Sequence, residues 1–267
     1  MRHRIRNFVA GAMLLAAPAF SQGLNFTATL DSIRIQGRTG QTYNRNFLLK
    51  LDQTAKPTQF RARVQDWWRS EDFSQSFYRE PGTLARSCGK WVSLNPVEAR
   101  VQGGETLDVR ITIAVPAGIE PGGYWCVLTV DQLPDPLAPV EEGVRVNFLA
   151  SVSTGIFIYL DPVQRAASIS SVEVLPGEAR VTLHNDGNTP LGVEGRFEFV
   201  GQAEGKAPIV VPIPRETILT EPSRTGTLKA KLPDIQTLPP GEYTVKAILD
   251  IGIENLIGAQ KRMEVRR

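Results

Sequence analysis

Leu107-Asp108-Val109-Arg110-Ile111-Thr112-Ile113-Ala114-Val115 carries a large apolar residue at every odd position and a small or polar one at every even position. Period two is the repeat of an extended chain, whose successive side chains point to opposite faces, so the stretch reads as a strand with one face in a core. The same alternation recurs in Phe47, Leu49 and Leu51, in Phe60, Ala62 and Val64, and in Tyr124, Cys126, Leu128 and Val130. Turn formers separate the runs: Gly103-Gly104, Pro121-Gly122-Gly123, Asn185-Asp186-Gly187-Asn188 and Pro239-Pro240-Gly241. No convincing helix is expected beyond the first 21 residues, and the chain is read as all-β.

Those first residues differ in kind. Arg2, Arg4 and Arg6 precede an apolar run from Phe8 to Ala17 and small residues ending at Ser21, the layout of a cleaved signal peptide over 1–21. The run is far shorter than the roughly 20 residues that span a bilayer, so an exported protein without a membrane span is expected, in the periplasm or outside the cell. Cleavage removes three of the 30 basic residues and none of the 28 acidic ones, which leaves the mature chain near −1. That charge gives no support for a nucleic-acid or anionic-membrane partner.

An internal similarity divides the remainder. Val115-Pro116 leads through Ile119 to Pro121-Gly122-Gly123-Tyr124 and a strand ending in Asp131; Leu232-Pro233 leads through Ile235 to Pro240-Gly241-Glu242-Tyr243 and a strand ending in Asp250. One match each at long spacing indicates duplicated domains. Two tandem immunoglobulin-like β-sandwiches are expected, over 22–162 and 163–267, with Asp161-Pro162 breaking the last strand of the first. Tyr124 is placed to return its hydroxyl to upstream backbone as a tyrosine corner.

Cys88 and Cys126 are the only cysteines of an exported chain, so a disulfide local to the first domain is the leading reading, with buried free thiols as the alternative. No metal or cofactor is expected, because the neighbourhood offers no further ligands. The mature chain has one histidine, His184, and one cannot supply a triad or a zinc cluster. With no phosphate-binding loop or metalloprotease motif either, a binding protein is expected rather than an enzyme. The Asn185 to Asn188 turn is read as serving a left-handed backbone conformation. Trp67, Trp68, Phe73, Phe77 and Tyr78 crowd one segment; consecutive Trp67 and Trp68 must face opposite ways, so one is a candidate partner anchor. The bland account has the segment from Arg69 to Cys88 folding over it as a satellite cluster.

The layout resembles that of the periplasmic chaperones of chaperone-usher pilus systems. The resemblance rests on Leu30-Asp31-Ser32-Ile33-Arg34, similar to the family's first-strand motif, on the alternating strand from Val144 to Tyr159 followed by Pro162, and on the short bend between domains. It implies a pilin-like, β-rich exported subunit as partner, held by strand addition with Val144, Val146, Phe148 and Ala150 filling its groove. It also implies that Arg34 anchors the subunit's terminal carboxylate. The family's second anchor, a lysine, is missing: counting back from Pro162 puts Phe157 in its place, and residues 143–162 contain no lysine.

A structural envelope adaptor or adhesion module is the alternative. The Asp66-Trp67 step, the Trp91-Val92 strand and the Pro116 to Gly123 turn loosely resemble surface domains thought to bind peptidoglycan.

Overall fold

The computed structural model describes residues 25–29, 31–78, 80–134, 149–201, 207–232 and 240–265. Residues 1–21 and the candidate groove-fillers Val144, Val146 and Phe148 lie outside them.

The first half pairs two sheets. One contains β1 (Phe26–Ala28), β3 (Thr42–Leu51), β8 (Thr106–Ala114) and β6 (Val92–Asn95), in that order. The other runs β2 (Ile33–Gly37), β10 (Ser151–Leu160), β9 (Gly122–Gln132), β4 (Thr58–Arg69) and β5 (Gln75–Tyr78), with β7 (Glu98–Val101) also on β4. Leu49, Val109 and Ile111 from one sheet meet Phe60, Leu128, Ile156 and Ile158 from the other in a closed core. Among the described strands all pairings are antiparallel except β2 on β10, which is parallel, as is the isolated Ser87–Trp125 bridge.

The second half repeats the plan. β11 (Ala167–Leu175), β12 (Glu178–Asn185) and β15 (Thr225–Lys231) form one sheet. β14 (Ile209–Ile218), β13 (Leu191–Gly201), β16 (Gly241–Asp250) and β17 (Ile257–Val265) form the other. Val181, Leu183 and Leu228 pack on Phe197, Phe199, Val245 and Leu249. Each half is an immunoglobulin-like sandwich, and the only helical element among the described residues is a 3-10 turn at Gly89–Trp91.

Tyr124 behaves as its place in the sequence suggests. Its ring joins the first core, and its hydroxyl donates to the carbonyl of Glu120 at 2.9 Å. The Cys88–Cys126 disulfide forms, with Cα atoms 5.4 Å apart. It ties the segment ahead of β6 to β9, and the Cys88 amide adds a bond to the Trp125 carbonyl at 3.1 Å.

Three expectations need correction. Alternation suggested that β9 is half-buried, yet every residue from Gly122 to Val130 is buried. Trp125 and Val127, on its outer face, are covered by Trp67, Phe157 and Leu219. The cover on Trp67 therefore includes Leu219 from the second half, and its cluster contains no residue of the Arg69 to Cys88 segment.

The Asn185 to Asn188 turn contains no residue with positive φ. Its amides serve as hydrogen-bonding hubs instead. Asn185 Nδ2, fully buried, donates to the carbonyls of Thr189, Ile218 and Leu219, and Oδ1 accepts from the Gly187 amide. Asn188 bonds Gln164 and Pro162, and its carbonyl accepts from the Gly123 amide of the first sandwich at 2.8 Å. A side chain at Gly123 would collide with Thr189 and Pro190, so that close approach requires glycine.

The crowded aromatic segment forms a β4–β5 hairpin whose tip crosses to the second sandwich. Phe73 packs against the second core, the Glu71 carbonyl accepts from the Thr227 amide at 2.8 Å, and Arg69 pairs with Glu216 at 2.7 Å. Phe73 has φ of 67°, the only positive value among described non-glycine residues, a conformation disfavoured for a bulky side chain.

Candidate functional site

The site grows from β2 and the C-terminal half of β10. In β2, Ile35 faces the core, so Arg34 and Gln36 face out. The parallel register sets Arg34 opposite Phe157 and Gln36 opposite Tyr159. The Arg34 guanidinium lies 5.8 Å from the Phe157 ring centre, in cation–π range, and its Nε donates to Ser32 Oγ at 3.1 Å. Phe157, which stands where the resemblance places the family's lysine, lies at the same register as Arg34.

Beneath lies an aromatic floor shared by both halves. Phe157 meets Trp67 edge to face at 6.2 Å, Trp125 donates its indole N–H to the Trp67 carbonyl at 2.9 Å, and Leu219 closes the cluster. Trp67 is 8% exposed and Trp68 half-buried against the same cluster, so the structure places both in the packed seam and not on an open face.

β2 covers only part of β10. It pairs with Ile156 to Leu160, whereas β9 pairs with the whole strand from Ser151 to Leu160. Among the described residues, 151–155 are thus bonded along one edge, apart from the Thr154 hydroxyl on the Asp31 carbonyl. Of the four candidate groove-fillers only Ala150 is described; it is half-buried against the first core, and its carbonyl accepts from the Gln132 amide at 2.9 Å. Arg63 and Asp131 anchor the strand's start: Asp131 pairs with Arg63 at 2.5 Å and accepts from Ser151 Oγ at 2.6 Å.

Sequence reading passed over Arg165. It stands 5.9 Å from the Tyr159 ring centre, at the far end of the same face. It also overlooked the open concavity of about 550 Å³ bounded by Arg86, Lys90, Trp91, Ile119, Tyr124 and Glu221. His184 is half-exposed, with Nδ1 3.3 Å from Thr225 Oγ1 and no other histidine near it among the described residues.

No family model and no curated protein matches the chain. Solved structures do. The class 5 fimbriae chaperone CfaA superposes with a TM-score of 0.51 at 12% identity, over 89% of this chain and 99% of that one. This is the pilus-chaperone fold. A chain from a chaperone–tip adhesin complex of CFA/I fimbriae biogenesis gives 0.52 at 12% identity, over 90% of this chain and 98% of that one. At such identity the likeness is one of fold. Among the described residues no helix is long and apolar enough to cross a membrane, and no group of acidic, histidine or cysteine side chains is arranged to hold a metal.

Proposed function

We propose that the protein is a non-enzymatic, chaperone-like binder of the periplasm or cell surface, which holds an exported β-rich subunit by strand addition along β10. The observation that carries this reading is the half-covered edge of β10. Among the described residues β2 stops short of residues 151–155, which leaves a run of backbone groups open to pairing on a strand that is otherwise central in its sheet. In this reading the sandwiches 22–162 and 163–267 act as a rigid pair, and Val144, Val146, Phe148 and Ala150 enter the subunit's groove. Arg34, exposed and without an acidic partner among the described residues, anchors the subunit's terminal carboxylate.

The test is co-purification of the mature protein from its native envelope fraction. A small β-rich subunit recovered in equal amount with wild type, and lost with Val146→Asp plus Phe148→Asp, is the expected result. Unchanged recovery from the double variant would sink strand addition. The adaptor reading draws on one observation, the Trp91 and Tyr124 concavity, and gains if recovery instead depends on Trp91.

A further inference from the structure

Phe157 and Tyr159 are next neighbours on one face of β10, their Cα atoms about 7 Å apart. Each carries a guanidinium on its ring, Arg34 from the first sandwich at 5.8 Å and Arg165 from the segment entering the second at 5.9 Å. Both arginines are exposed, and neither forms an ion pair among the described residues. The nearby acid, Asp161, accepts instead from Gln36 Nε2 at 2.9 Å.

Two unneutralised guanidiniums held over adjacent rings have lost part of their rotamer freedom before any ligand arrives. Apart from Arg34 Nε, which donates to Ser32 Oγ, their N–H groups stay open for a planar anion, which they grip in forked geometry. The Arg165 stem also lies against the β16–β17 turn, where a Cβ at Gly252 would stand 3.8 Å from Arg165 Cδ. On that turn Ile253 and Leu256 are 39% and 56% exposed.

The geometry points to Arg165 as the second cation of the carboxylate anchor, acting with Arg34 across the Phe157–Tyr159 shelf. The β16–β17 turn then reads the apolar residue next to the ligand's terminal carboxylate. This rests on the subunit-binding reading but makes the second sandwich part of recognition. It also accounts for a lysine-free β10: the second charge comes from beyond Pro162, over Tyr159, while Phe157 supplies a ring to Arg34.

The probe is an octapeptide alternating valine and threonine, with a free C-terminal carboxylate in one form and an amide in the other, titrated calorimetrically into the mature chain. Wild type is expected to prefer the free acid by about tenfold. Arg165→Gln and Arg34→Gln should each bring that preference close to one without weakening the amide form, and Arg45→Gln, on the other sheet, should leave it intact. An unchanged preference in Arg165→Gln, or no preference in wild type, overturns the assignment and leaves strand addition standing. Failure of both peptides to bind wild type overturns the two together.

Discussion

Single residues already separate scaffold from site. Asp66 is fully buried, and its carboxylate accepts from the amides of Gly82 and Leu84 and from Ser87 Oγ. Asp66→Ala removes the acceptor of the buried Ser87 hydroxyl and of the part-buried Gly82 and Leu84 amides, and is expected to cost about 3 kcal/mol in urea unfolding at neutral pH. A loss under about 1 kcal/mol would mean that the 82–91 segment does not depend on it. Asp131 works at the start of β10. Burial by itself raises its pKa, but hydrogen bonds from Arg63 and Ser151 outweigh it and hold the group below the usual carboxylate range. A carboxylate depressed in the folded state stabilises above its unfolded pKa, and that stability is lost as pH falls below about 4 through the folded value. Asp131→Asn should therefore narrow the difference in urea midpoint between pH 7 and pH 3; an identical difference would contradict the assignment.

At the scale of elements, the β4–β5 hairpin was the hardest to read. Five aromatics in a short stretch look like a partner surface, and nothing local says that the partner is the same chain. Glu71 meets Thr227 and Phe73 meets the second core across more than 100 residues of sequence, a separation no local pattern records. A Cβ at Gly226 would come within 2.8 Å of the Phe73 ring. Phe73→Ala and Gly226→Ala are both expected to lower stability, by about 1–3 kcal/mol, and to broaden the distribution of inter-sandwich distances measured by paired spin labels. Unaltered distances would show that the hairpin does not brace the seam. The disulfide was easier, because Cys88 and Cys126 are the only two cysteines of the sequence. With a sequence separation of 38, replacing both by alanine should cost roughly 4 kcal/mol on the chain-entropy model, read by denaturant unfolding under non-reducing conditions.

For the whole molecule, period-two patterning was enough for the first sandwich, since Leu107 to Val115 and Tyr124 to Val130 could bury their apolar sets only in a facing sheet, and the internal similarity ending in Asp131 and Asp250 extended the reading to a second. It missed the second burial of β9, because Trp125 and Val127 are covered by residues distant in sequence. Arg34 and the Phe157 position were singled out by resemblance to a family motif and not by patterning; their shared register shows only in the parallel β2–β10 pairing, and Arg165, across the bend, left no signal in the sequence. The central claim is that β10 accepts a strand from another protein. Hydrogen–deuterium exchange of the chain with and without its co-purified subunit tests it most directly. Slowed exchange of amides within residues 144–154 on binding, with the β4–β5 hairpin unchanged, is the result expected. Protection confined to the Trp91 and Tyr124 concavity, with those amides exchanging as in the free protein, would contradict it.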